Sequence, residues 1–130
     1  FGQHPEISPS TVGLSLAEGQ SRLGSLYRNQ GQFNKALPLL QSALDVSRKS
    51  YLADPSSLEK GEELSGGYTE LSKLYEETGQ ISEMTAASDA ALDLLRRSAA
   101  NKSDEATVFN LAKALRMVGR HRWIAGNLAD

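Results

Sequence analysis

Without cysteine, catalysis in this chain would fall to histidine, carboxylate, hydroxyl or lysine side chains, and few of them are usefully arranged. The two histidines, His4 and His121, lie far apart, and neither has an acidic residue at the i,i+4 spacing that pairs metal ligands on one helix face. Glu62/Glu63 and Glu76/Glu77 invite a reading as acid–base dyads. Adjacent residues on a helix diverge by about 100°, however, so each pair belongs to a solvated face. Serine is plentiful, but no G-x-S-x-G motif supplies one with a base, and no G-x-x-x-x-G-K-S/T or G-x-G-x-x-G loop could cradle a phosphate. Asn101-Lys102-Ser103 matches a glycan acceptor and reads instead as a helix-capping turn, with Ser103 as the N-cap. The expectation is no enzyme, no metal and no cofactor. Binding remains.

Composition narrows what could be bound. With 14 Lys and Arg against 16 Asp and Glu, the net charge of −2 gives no basic excess for a nucleic-acid backbone. No apolar run approaches the roughly 20 residues of a membrane span, so the expected partner is neither nucleic acid nor membrane. The absence of cysteine excludes disulfides and fits a cytoplasmic chain. The start Phe1-Gly2-Gln3-His4-Pro5 resembles neither a Met start nor a secretory signal, which suggests a piece of a longer protein.

The elements that must position a binding surface are announced by a repeat. Leu23, Leu26, Tyr27, Gly31, Gln32, Ala43, Leu44, Asp45, Arg48 and Ser50 recur 48 residues later as Leu71, Leu74, Tyr75, Gly79, Gln80, Ala91, Leu92, Asp93, Arg96 and Ser98. A weaker echo follows 40 residues further on, at Leu111, Leu115 and Gly119. Glycine punctuating helical patterns at such a period is the mark of stacked helical hairpins. The pattern predicts a lead-in over 1–9 and helices near 10–30, 33–52, 56–78, 80–100 and 104–118, with a sixth beginning at His121.

Gly31, Gly79 and Gly119 are expected to end the first helix of each hairpin in a left-handed cap. Asn34 is the expected N-cap of the second helix, which would place Pro38 at the end of its first turn. Asp54 is the expected cap of the third helix, with Pro55 at its first position. Leu16, Leu23, Leu26 and Tyr27 form the predicted inward stripe of the first helix. Leu71, Tyr75, Leu111 and Leu115 fill the equivalent places, beside close-approach residues Gly24, Ala36, Ser72 and Ala112. Gly61, Gly66 and Gly67 mark either a soft spot in the third helix or close approach to a neighbour.

Leu23-Gly24-Ser25-Leu26-Tyr27, then Gly31, Ala36 and Ala43, resembles the tetratricopeptide repeat. The second unit fits apart from Met84, and the third is weaker, with Leu115 for the aromatic. The long spacing and the segment Arg48 to Pro55 are similar to the long-repeat variety of kinesin light chains and of bacterial signalling proteins. This likeness implies an all-α, right-handed superhelical stack of antiparallel hairpins, an α-solenoid of about three units over 10–54, 55–102 and 103–130, the last partial. It also implies a scaffold module, a fragment of a larger signalling protein, that holds a peptide or helical segment in a concave groove.

The family's groove positions fall here on Arg28 and Asn29 of unit one, Thr69 and Lys73 of unit two, and Phe109, Lys113 and Arg116 of unit three. Most of these lie off the apolar stripe, so periodicity also exposes them. Arg28, Lys73, Lys113 and Arg116 would form a basic track for an acidic peptide, with Phe109 as an apolar anchor. The family's chaperone-tail clamp is absent, since its places read Ser21, Ser25, Lys73, Ala106 and Asn110. The alternative role is self-association through the solenoid ends, giving a homodimer in which apolar residues such as Trp123, Ile124 and Leu128 find cover.

Overall fold

The computed structural model describes the backbone of residues 9–102 and 104–128, and the side chains of residues 16–102 and 104–127. Five helices make up the described chain: α1 (Pro9–Asn29), α2 (Phe33–Ala53), α3 (Leu58–Thr78), α4 (Ile81–Asn101) and α5 (Glu105–Leu128). The expected lead-in, apart from Pro9, lies outside the described residues, as does the Ser103 cap.

The turns that close the first two hairpins are the same structure made twice. Gly31 and Gly79 have φ of 76° and 75°, a region that other residues enter only with strain. At the end of α1, Gln32 N–H donates to Tyr27 O at 2.8 Å and Gly31 N–H to Arg28 O at 3.0 Å. At the end of α3, Gln80 N–H donates to Tyr75 O at 2.9 Å and Gly79 N–H to Glu76 O at 3.3 Å. Both pairs satisfy the orphan carbonyls of a helix end in the Schellman pattern. The Tyr-x-x-x-Gly-Gln repeat is thus a turn instruction.

Two expected caps fall elsewhere. The N-cap of α2 is Gln32, not Asn34, because the tight turn delivers the chain to the helix two residues sooner. Pro38 therefore stands in the second turn and removes one helical hydrogen bond, on an exposed face where water can serve the freed carbonyl. Asp54 closes α2 instead of opening α3, its N–H donating to Tyr51 O, and Ser57 takes over as N-cap by accepting from Lys60 N at 3.2 Å. For α5 the capping is done by Asp104, whose carboxylate accepts from Thr107 N at 2.8 Å.

The third hairpin departs most from expectation. Gly119 does not close α5, which runs unbroken to Leu128. Gly31 and Gly79 are the glycines with positive φ among the described residues. Continuation keeps Ala114, Val118 and His121, at i, i+4 and i+7, on one buried face. A left-handed turn at Gly119 would take His121 out of that face. In place of the expected helix break, the described residues from Glu105 to Leu128 form a single long helix.

Each helix packs chiefly on its neighbours in the chain, with a slighter contact between α1 and α3. Ala36, Leu40, Leu71, Leu74 and Ala87 form one core, flanked by Tyr27, Phe33, Leu37, Leu44, Tyr68 and Tyr75. Leu92, Leu95, Ala114 and Val118 form a second, with Leu111 half-buried beside it. Of the three glycines expected to mark a soft spot or a close approach in α3, Gly67 marks a close approach, whereas Gly66 has open space beside it. A Cβ on Gly67 would stand 3.0 Å from Leu44 of α2. Leu16, Leu23, Leu26 and Leu115 are exposed, as is Ala112, so the expected inward stripes of α1 and α5 are corrected. Among the described residues α1 packs on α2 with only slight contact to α3, which leaves that face open, and α5 turns Leu115 and Ala112 away from α4.

Candidate functional site

α1, α3 and α5 leave two grooves between them. The first, of about 610 Å³, has walls from α1 (Glu18, Ser21, Arg22, Ser25, Asn29) and α3 (Glu63, Gly66, Gly67, Glu70), over a floor of Leu40, Ala43 and Ser47 from α2. The second, of about 620 Å³, has walls from α3 (Glu62, Thr69, Lys73, Glu76) and α5 (Asn110, Lys113, Arg116, Met117, Arg120), over Leu95 of α4. Gly66 and Glu70 border both grooves, so they adjoin across α3. A side chain at Gly66 would have nothing within 4 Å, and its absence keeps the crest between the grooves low.

Adjacent carboxylates on α3 serve opposite sides. Glu63 borders the first groove and Glu62 the second. Glu77 reaches back to Arg28 of α1 (Oε1–Nη1 2.6 Å), while Glu76 reaches forward to α5. There it meets Arg120 Nη2 and also takes a hydrogen bond from His121 Nε2 at 2.8 Å. Ser25 Oγ donates to Glu70 at 2.7 Å and Ser72 Oγ lies 3.4 Å from Met117 Sδ. These polar staples hold the walls of both grooves at fixed spacing.

Of the groove residues the sequence predicts, Asn29, Thr69, Lys73, Lys113 and Arg116 line a groove, whereas Arg28 and Phe109 do not. Arg28 is mostly buried, between Glu77 and Glu70, so its charge is spent inside the fold. Lys73 is partly neutralised by Glu70 at 3.6 Å. Lys113 lies over the exposed Phe109 ring, 5.5 Å from its centre. Among the described residues neither Lys113 nor Arg116 has an acidic partner. The expected four-residue basic track thus reduces to two free cations on α5, with Lys73 opposite.

Glu63 is the perturbed acid of the first groove. Partial burial, then the charges of Glu59 and Glu18, raise its carboxyl above the usual range, and Lys60 offsets this in part. His121 and its bond to Glu76 escaped sequence reasoning. The signal was the i, i+4, i+7 series Ala114, Val118, His121, which only a continuous helix produces. No family model, curated protein or solved structure matches the chain.

Proposed function

We propose that the chain is a tetratricopeptide-type interaction module, a non-catalytic scaffold whose stacked hairpins hold a partner segment against α1, α3 and α5. The observation that carries this reading is the pair of adjoining grooves, walled by the first helix of each hairpin and floored by α2 and α4. A cleft built from repeated elements, with free charge on its rim and apolar floor residues such as Leu40 and Leu95, suits an extended or helical peptide. Lys113 and Arg116, with exposed Phe109 beside them, favour a carboxylate-bearing segment at the α5 wall. In this reading the stack winds as a right-handed superhelix, in the cytoplasm.

Selection of random peptides on the immobilised domain, with Lys113→Glu/Arg116→Glu as counter-target, tests the proposal. Enrichment of acidic peptides that the variant fails to hold supports it. The same peptides enriched on both, or none on either, overturns it.

A second reading has its own observation. Val108, Leu115 and Trp123 share the outer face of α5, all exposed, and Leu16 and Leu23 are exposed on α1. Apolar surface of this kind favours self-association. Sedimentation should then show a dimer that Leu115→Glu/Trp123→Glu dissociates. A concentration-independent monomer removes this reading.

A further inference from the structure

The free charges of the two grooves are segregated along α3, with carboxylates near its start and cations further along. Glu18 and Glu63 face each other across the α1–α3 gap, with Glu62 next to Glu63 on the second-groove side of α3, and none of the three has an ion-pair partner among the described residues. Arg22, on the same wall as Glu18 and one turn further along α1, is a cation with no ion pair among the described residues. Glu63 feels the resulting crowding, its carboxyl being raised by burial, by Glu59 and by Glu18. In the second groove the free charges are the cations Lys113 and Arg116, with Glu62 at the other end of the same groove. The other charged groups nearby, Glu70, Lys73, Glu76 and Arg120, are already engaged with one another or with Arg28 and His121.

The staples fix how far apart these free charges stand. Ser72 meets Met117 and Glu76 meets His121, so Arg116 lies level with the turn of α3 near Leu71. Glu62 and Glu63 are about nine residues earlier on α3, or roughly 14 Å along the helix axis at 1.5 Å per residue. Adding a sideways step of about 10 Å between neighbouring helices gives roughly 17 Å. An extended peptide covers that distance in about five residues.

We infer that the partner segment is dipolar: an extended stretch with a cationic end against Glu18, Glu62 and Glu63, and an anionic end about five residues away against Lys113 and Arg116. This rests on the groove-binding reading above and adds composition and direction to it. Bound in reverse, the segment would set like charge against like at both ends, so polarity selects a single orientation.

The test uses fluorescein-labelled peptides of equal length and zero net charge. In one, two lysines and two glutamates sit at opposite ends of a Ser/Gly spacer. In the other, the same residues alternate. Glutamate-only and lysine-only peptides complete the set, all read by fluorescence anisotropy at low salt.

The segregated peptide is expected to bind about ten-fold tighter than the alternating isomer. Glu18→Gln/Glu62→Gln/Glu63→Gln should erase that advantage without weakening the glutamate-only peptide, whose unchanged binding also shows that the variant is folded. Equal affinity for the two isomers overturns the dipolar inference. In that event, a glutamate-only peptide that binds and is lost with Lys113→Glu/Arg116→Glu leaves groove binding standing. No binding by any peptide up to about 1 mM overturns both.

Discussion

Leu23 and Leu26 in the first hairpin and Leu71 and Leu74 in the second are the same residues in the same repeat positions, yet their surroundings differ sharply. Leu71 and Leu74 are 3% and 1% exposed, whereas Leu23 and Leu26 are 41% and 51% exposed. The difference is a neighbour. α3 packs on both α2 and α4, and α1 on α2 with only slight contact to α3. Within a stack, burial belongs to the place in the row more than to the side chain. Position 24/72 shows the local version. Gly24 lies against Leu40, whereas its counterpart Ser72 and Leu40's counterpart Ser88 are both small and buried. Each hairpin solves the same close approach with its own pairing of sizes.

The sharpest way to break this comparison is to truncate both leucines. Leu74→Ala should cost about 2–5 kcal/mol of unfolding free energy in urea, while Leu26→Ala should cost well under half as much. Equal losses would mean that the first hairpin is covered in solution by something else, a second copy included. Gly24→Ala should come next, at about 1–3 kcal/mol, because the new Cβ would stand 2.8 Å from Leu40. A neutral result would show that α1 slides freely on α2.

Smaller effects separate the turns. Gly31→Ala and Gly79→Ala should each lose about 1 kcal/mol, at positive φ. Gly119→Ala should gain up to about 1 kcal/mol, since Gly119 is helical and a Cβ there would meet nothing within 4 Å. A loss at Gly119 would argue for a turn, and hence for a complete third hairpin.

The smallest contrast is between caps. Thr107 holds the Asp104 carboxyl down at about 2 through its hydroxyl and its backbone N–H, with Lys102 adding to the effect. A depressed carboxyl stabilises the fold above its ordinary value of 3.8, and that contribution fades as pH falls through about 2. Asp104→Asn should therefore flatten the pH dependence of the melting temperature in this window. Ser57→Ala at the cap of α3 should lower the melting temperature at every pH.

The sequence carried the turns well, because Gly31 and Gly79 announce a backbone conformation that few residues share. It carried the first four helices for the same reason. Gly119 shows the limit, since a glycine inside a helix and one that ends it look alike. What separates them here is His121 reaching Glu76 on a helix 45 residues earlier. The site was half legible. Periodicity exposed Lys113 and Arg116 correctly, but it could not know that Arg28 would be caught between Glu77 and Glu70. Ion pairing across helices depends on stacking register, which no single helix encodes.

The chain-neighbour packing also sets an order in time. During synthesis α1 and α2 can pair before any of α3 has emerged, and every later helix finds its main support already made. The first hairpin nevertheless waits, because Leu40 gains its core companions Leu71 and Leu74 only with α3. A nascent chain that has left the ribosome as far as the end of α2 would therefore be a loose helical pair, and one that has left it as far as the end of α3 a consolidated one.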